Sequence, residues 1–200
     1  MRILLIGASG TVGQAVAGAL APHHELIRAG RQSGDVRVDL TDVASIERMY
    51  AEVGELDAVV TAAGSVHFGE LVNTTPTQFL SGLQDKLMGQ VNAVIAGIPR
   101  LRDGGSFTLT SGITADEPIR LGTNATTVNA AIEGFVRSAA TELPRGLRIN
   151  AVSATLLTEA LEAYGPYFPG FPAVPGVRVG QVYRRCVEGV GTGRVYKIWE

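Results

Sequence analysis

"RILLIGASGTVG", residues 2–13, decides the fold. Its apolar run reads as a buried strand that passes straight into a turn holding Gly7, Gly10 and Gly13. The turn opens the helical pattern "TVGQAVAGALA", with small apolar residues on its packing face. At the first strand-to-helix turn, glycines in these places have separate jobs. The first permits a sharp bend, the second lets the backbone approach a pyrophosphate, and the third lets the helix pack on the sheet. The helix N-terminus presents free N–H groups and the positive end of a dipole. Ser9 and Thr11 add hydroxyls, and Val12 completes the turn. The placement predicts a phosphate cradle; the alternative is a glycine-rich turn with no ligand.

The rest of the chain repeats this alternation of short apolar runs and helical patterns, the mark of βαβ units and a parallel sheet. "HELIRAG" and "VRVDL" read as strands two and three, and "LDAVVTAAG" as strand four. Thr41 is the expected N-cap of the helix "DVASIERMYAEV", with Asp42 in its first turn. A long helix is expected from about Thr77 to Leu101, after Pro76. "GSFTLTSG", "LRINAVSA" and "GRVYKIW" supply the remaining strands. "NATTVNAAIEGF", residues 124–135, lies on the helix between the first two of these, which Pro144 and Gly146 stop. The Pro- and Gly-rich stretch "YGPYFPGFPAVPG", residues 164–176, reads as a loop whose aromatic residues either cover a pocket or pack on one another. The expected fold class is α/β: a Rossmann-like doubly wound parallel sheet in three layers, as one domain over residues 1–200.

Composition narrows the function classes. At 46% hydrophobic and 18% charged residues, the chain can bury a sizeable core. A net charge of -2 gives no electrostatic case for nucleic acid. Cys186 is the only cysteine, which excludes an intrachain disulfide framework and suits a reducing compartment. The N-terminal apolar run is too short and too broken by glycine for a signal peptide or a membrane span, so a cytoplasmic protein is expected.

The second strand ends in "IRAGRQSG", with no carboxylate to hold the 2′-hydroxyl of NAD. Arg31 can pair with a 2′-phosphate, and Ser33 can hydrogen-bond it. NADP is therefore the expected cofactor and NAD the less favoured one; Arg31 as a solvated loop charge is the alternative. Asp39, followed by Leu40, either accepts from the adenine amino group or caps the turn into the next helix.

Taken together, GASGTVG, the acid of "VDLTD", "TAAG" at 61–64, Ser111, "NAAIEGFVRSAATEL" and "LRINAVSA" resemble the short-chain dehydrogenase/reductase family over nearly the whole chain. The resemblance implies the strand order 3-2-1-4-5-6-7 and a nicotinamide dinucleotide. It places Ala62, Ala63 and Gly64 along the adenosine side, Thr110 and Ser111 at the nicotinamide, and Ala154 to Thr158 around that end. It also exposes a departure. The family's YxxxK aligns with "ATTVN", which puts Ala125 in place of the tyrosine and Asn129 in place of the lysine. The family's asparagine on the preceding helix aligns with Lys86 in "DKLMG". Lysine and asparagine thus look exchanged between neighbouring helices, unless Lys86 is merely a surface charge.

Ser111, Lys86 and Asn129 are accordingly the candidate catalytic residues, with Tyr164, Tyr167 and His67 as possible proton donors. No metal site is expected. The leading function is an atypical NADP-dependent oxidoreductase acting on a small carbonyl or alcohol. The alternative is a non-catalytic NADP-binding sensor or regulatory protein, for which Ala125 argues. Epimerase chemistry on a sugar nucleotide is weaker, because such relatives need the same tyrosine and a larger substrate domain. The alanine-rich stripe of "AAIEGFVRSAATEL" suits either a homo-oligomer contact or packing on the sheet.

Overall fold

The computed structural model describes all 200 residues. β1 (Arg2–Ile6) is an interior strand, third in a seven-stranded sheet. Its side chains divide by the two-residue period of a strand. Leu4 and Ile6 enter one core with Val59, Phe107 and Ile132, while Ile3 and Leu5 enter the opposite core with Val16, Val60 and Tyr183. A central strand buried on both faces is the condition for a parallel sheet covered by helices on each side.

From β1 the chain winds outward through α1 (Thr11–Leu20), β2 (Glu25–Gly30) and the short β3 (Val36–Arg37). It then returns through α2 (Val43–Val53) to β4 (Leu56–Thr61) on the other side of β1. β5 (Leu101–Thr110), β6 (Arg148–Ala154) and β7 (Val195–Ile198) extend the sheet in that direction. Every pairing is parallel, in the order β3-β2-β1-β4-β5-β6-β7 expected from the sequence. The chain reverses direction between β1 and β4, and that topological switch opens a crevice at the strands' carboxyl ends.

Several local expectations need correction. Thr41 is not the cap of α2; Asp42 is, accepting from the Ala44 N–H at 2.9 Å. Thr41 spends its own N–H and hydroxyl on Asp39 instead. The long helix expected from Thr77 is interrupted. α3 (Pro76–Gly82) starts at Pro76 behind a Thr75–Gln78 capping box, and a π-helical segment covers Leu83–Met88. α4 (Gly89–Gly97) follows, and Leu101 already belongs to β5. α5 (Thr123–Ala139) carries the 124–135 stretch. The stretch 164–176 is not simply a loop, since it begins at the end of a short helix, α6 (Leu161–Tyr164), and continues into a turn at Gly165–Tyr167.

One whole helix escaped the sequence reading. α7 (Gly176–Glu188) packs on α1 and buries Val179, Tyr183, Cys186 and Val187. Its valines and Gly180 carry poor helix propensity, yet Val179, Tyr183, Cys186 and Val187 recur at helical spacing, a periodic signal that was readable. Tertiary packing explains the glycine: a Cβ on Gly180 would strike the backbone of Ala15 in α1.

Candidate functional site

The crevice holds two adjoining cavities that share Ala63 and Gly64 in their walls. The outer one, of about 620 Å³, is mostly polar and includes Gly7, Ser9, Arg31, Ser33, Leu40 and Asp85. The inner one, of about 340 Å³, includes Thr11, Val12, Lys86, Ser111, Ala125 and Asn129. The glycine turn sits at their junction.

The three glycines of that turn differ physically. Gly7 has φ +88°, and a Cβ there would lie 2.6 Å from the Ala62 carbonyl oxygen. A Cβ on Gly13 would overlap the Gly7 carbonyl. Both are needed to build the turn. Gly10 is different: its backbone is extended, at φ -74° and ψ 166°, and a Cβ would meet only the Gly7 oxygen at 3.6 Å. Any residue could take that backbone conformation, so space in front of α1 is what glycine provides at position 10.

In the outer cavity the Arg31 guanidinium lies 3.6 Å from Asp39 and 4.0 Å from Asp85. Both contacts are longer than hydrogen bonds, and Arg31 is largely exposed. Asp39 does not face either cavity. Its carboxylate accepts from the backbone and hydroxyl of Thr41, which, with a smaller contribution from Arg31, hold it below the usual carboxylate range. It caps a turn through Oδ1, the oxygen that takes both Thr41 contacts.

The inner cavity is built by convergence on Asn129. α5 presents Ala125, Asn129 and Glu133 at four-residue intervals on one buried face. Lys86 Nζ donates to Asn129 Oδ1 at 2.7 Å, and Asn129 Nδ2 donates to Thr114 Oγ1 at 2.8 Å. Gly64, at φ +116°, lets the π-helical segment come this close, since a Cβ there would lie 2.6 Å from the Lys86 Cα. Lys86 forms no ion pair, and burial pushes its ammonium down to about 8. Consecutive residues of the π segment thus serve the two cavities, Asp85 the outer and Lys86 the inner. π-bulges recur at functional sites because they turn a side chain off the helical register.

Ser111 lines the same cavity, but its hydroxyl donates to Glu133 Oε1 at 2.8 Å. The floor is tied together by Gln90, which accepts from Thr61 Oγ1 at 2.5 Å and from the Thr110 N–H at 2.8 Å. Tyr183 OH lies 2.6 Å from Thr110 Oγ1, and burial pushes its phenol well above the usual tyrosine range. Phe68, Tyr164 and Phe168 form an apolar rim. Phe68 packs against Tyr167 at 5.0 Å between ring centroids and against Tyr164 at 6.5 Å.

Against known proteins, the family model described as enoyl-(acyl carrier protein) reductase matches residues 12–172. The chain belongs to the short-chain dehydrogenase/reductase family. No curated protein sequence matches it. Among solved structures, the protein lin1944 from Listeria innocua shares 47% identity at a TM-score of 0.98, covering 100% of both chains. A small-chain dehydrogenase in complex with NADPH shares 25% identity at a TM-score of 0.88, over 99% of this chain and 96% of that one. A short-chain dehydrogenase from Mycobacterium smegmatis, at 19% identity and a TM-score of 0.83, shares the fold over 100% of this chain and 92% of its own.

Within this short-chain dehydrogenase/reductase, most of the site residues expected from sequence line the two cavities. Gly7, Ser9, Arg31, Ser33 and Leu40 line the outer one, and Thr11, Val12, Ala62, Thr110, Ser111, Lys86 and Asn129 the inner one. Thr158 does not. It is exposed beyond the rim, its N–H held by the Val174 carbonyl at 2.9 Å, while Leu156, Leu157 and Ala160 line the cavity beside it. His67 is also absent from the lining. Asp85, Glu133, Gln90 and Tyr183 were missed. Glu133 had a readable signal, four residues after Asn129 on the same helix face, and Tyr183 another, the helical spacing of Val179, Tyr183, Cys186 and Val187.

Proposed function

We propose that the protein is an NADP-dependent oxidoreductase acting on a small carbonyl or alcohol, with Lys86, Asn129 and Ser111 in its reaction centre. The observation that carries this is the Lys86–Asn129 hydrogen bond, which supports a lysine and an asparagine exchanged between α5 and its neighbour with both still at the inner cavity.

The residues present fit a nicotinamide dinucleotide. Space in front of Gly10 and the N-terminus of α1 suit a pyrophosphate. Arg31 and Ser33 would hold the 2′-phosphate end in the outer cavity, lined also by Leu40 and Gly64. Loose contacts to Asp39 and Asp85 leave the guanidinium free to exchange them for a bidentate phosphate contact. A similar dehydrogenase was solved with NADPH, which favours the same cofactor here. Bound in this orientation, the nicotinamide would supply or accept a hydride in the inner cavity. Lys86 and Asn129 would orient the adjoining ribose, and Thr110 and Ala62 would support the ring from the sheet. Phe68, Tyr164 and Phe168 would exclude water around an apolar substrate.

Ser111 is placed to accept rather than donate, because its proton is directed at Glu133. That detail, with Ala125, is what favours the second reading, a binder without turnover. Stopped-flow oxidation of prebound NADPH across a panel of aldehydes and ketones separates the two: oxidation by at least one carbonyl supports the enzyme. Tight NADPH binding with no oxidation supports the binder.

A further inference from the structure

We propose that Lys86 is itself the general acid of the reaction, donating a proton from Nζ to the substrate oxygen. The inference rests on the oxidoreductase reading above and deepens it. Its first support is geometric elimination. Ala125 brings no acid to the inner cavity. The Ser111 hydroxyl is committed to Glu133. Thr110 Oγ1 donates to the Thr61 carbonyl at 2.5 Å, which leaves the Tyr183 phenol, in the cavity wall, to spend its proton on Thr110. Asn129 donates to Thr114 and is no acid. Tyr164 stands at the rim, packed against Phe68 and 46% exposed. An ammonium has three donors, and Lys86 uses one on Asn129. The other two have no protein acceptor inside a cavity that could hold a substrate oxygen.

The second support is residue choice. Of the 17 Lys and Arg residues only Lys86 and Lys197 are lysine. Lys197 pairs at the surface with Asp116 at 2.7 Å. The one cation in the inner cavity is therefore the kind that can give up a proton, in a chain whose cations are otherwise almost all arginine. Arginine would serve as well for ribose contacts or for fixed positive charge, but it keeps its proton throughout the accessible pH range. Desolvation without a neighbouring carboxylate brings the Lys86 ammonium to about 8, near the range where a general acid works best. The other titratable groups around it are Tyr164 and Tyr183 in the cavity wall, Glu133 behind Ser111, and Asp85, which faces Arg31. No carboxylate pairs with Nζ.

The step balances. As the carbonyl carbon accepts hydride from the reduced nicotinamide, its oxygen gains the displaced electron pair. An Nζ–H bond breaks and an O–H bond forms, giving the alcohol, the oxidised cofactor and a neutral amine. Water at the open side of the cavity returns the proton to the amine. Alcohol oxidation runs the same transfers backward and needs the neutral amine.

Two measurements test this. The first needs no turnover: 13C and 15N NMR of lysine-labelled protein, with and without NADPH, resolves two lysines, Lys197 serving as the internal reference. Titration of Lys86 between about 7 and 9 is expected; titration at or above the Lys197 midpoint overturns the proposal. The second is single-turnover reduction of 4-nitrobenzaldehyde by bound NADPH for wild type, Lys86→Arg and Lys86→Met. The wild-type rate should be flat at low pH and fall tenfold per unit above the Lys86 midpoint. Both variants should bind NADPH yet lose about 10²- to 10⁴-fold in rate. A Lys86→Arg rate close to wild type would show that charge alone suffices and would overturn the proposal while leaving the oxidoreductase reading intact. No oxidation in wild type with any aldehyde or ketone overturns both.

Discussion

Gly10→Val separates a turn that binds from a turn that merely bends. Position 10 is extended, where β-branched residues are comfortable, and its Cβ would make one ordinary contact, 3.6 Å from the Gly7 oxygen. Two small effects oppose each other in the unliganded protein. Gly10 is the N-cap of α1, and an apolar cap is worse than glycine by up to about 1 kcal/mol. Losing a glycine's freedom in the unfolded chain returns about 0.4–1 kcal/mol. The net is within about 1 kcal/mol, or roughly 2–4 °C in Tm for a chain of this size. Gly13→Ala is the control, because its Cβ overlaps the Gly7 carbonyl. Overpacking there costs about 1–3 kcal/mol or more before any ligand is added.

The assay is thermal melting with and without NADPH, backed by calorimetric titration. At about 100 times Kd, NADPH stabilises wild type by about 2.7 kcal/mol, a rise of roughly 5–10 °C. Gly10→Val should melt near the unliganded wild type and show no rise, because the valine methyls stand where the pyrophosphate would lie. Gly13→Ala should melt lower even without ligand. If Gly10→Val keeps the full NADPH shift, the cradle assignment is wrong. If it unfolds as Gly13→Ala does, the separation of roles between the two glycines is wrong.

The remaining predictions concern charges. Arg31→Ala should weaken NADPH by about 1–3 kcal/mol and leave NADH almost unchanged, and equal wild-type affinity for the two cofactors would defeat the Arg31 argument. Asp85→Asn should raise NADPH affinity severalfold by releasing Arg31 and removing a like charge near the phosphate; weaker binding would instead give Asp85 a direct role in holding the nucleotide. Lys86 should leave a mark on stability. Its pKa falls from 10.5 to about 8 on folding, so the unfolded chain binds more protons between those values and stability rises with pH across that window. Lys86→Met should therefore raise the Tm of the ligand-free protein at neutral pH and flatten that rise. A lower Tm for the variant would mean the ammonium stabilises the fold.

How much could be read before the structure depended on whether a residue's role was local. The Gly7–Gly13 turn follows from a pattern within one βαβ unit, whereas the seven-strand order and the inner-cavity residues followed from the family resemblance. Thr41 and Asp42 adjoin, both are good capping residues, and only the backbone geometry decides between them. Asp39 offered two readings, and Thr41 engages one of its two oxygens. The break at Leu83–Met88 has no proline to announce it, because it comes from helix packing around Gly64 and Gly82. α7 was legible in the helical spacing of Val179, Tyr183, Cys186 and Val187; only the reason for Gly180, its approach to Ala15, needed the structure.

The interior of the site separates groups that hold the protein together from a group held ready for something else. Gln90 joins the ends of β4 and β5, Tyr183 anchors Thr110, Glu133 takes the Ser111 proton, and Thr114 takes one from Asn129. These polar groups satisfy one another without a ligand, as buried groups must. They would do so in a pure binder or even in an inert scaffold. Lys86 breaks the pattern. It brings a charge into a largely apolar cavity, has no carboxylate partner and leaves donors unspent. Desolvation makes that arrangement costly, so packing alone does not account for it. Strain of this kind is tolerated where chemistry or a ligand uses it. Its unspent donors suit a bound ribose as well as a substrate oxygen, so Lys86 marks the inner cavity as a working site, and the single-turnover rates of wild type and Lys86→Arg separate turnover from passive binding.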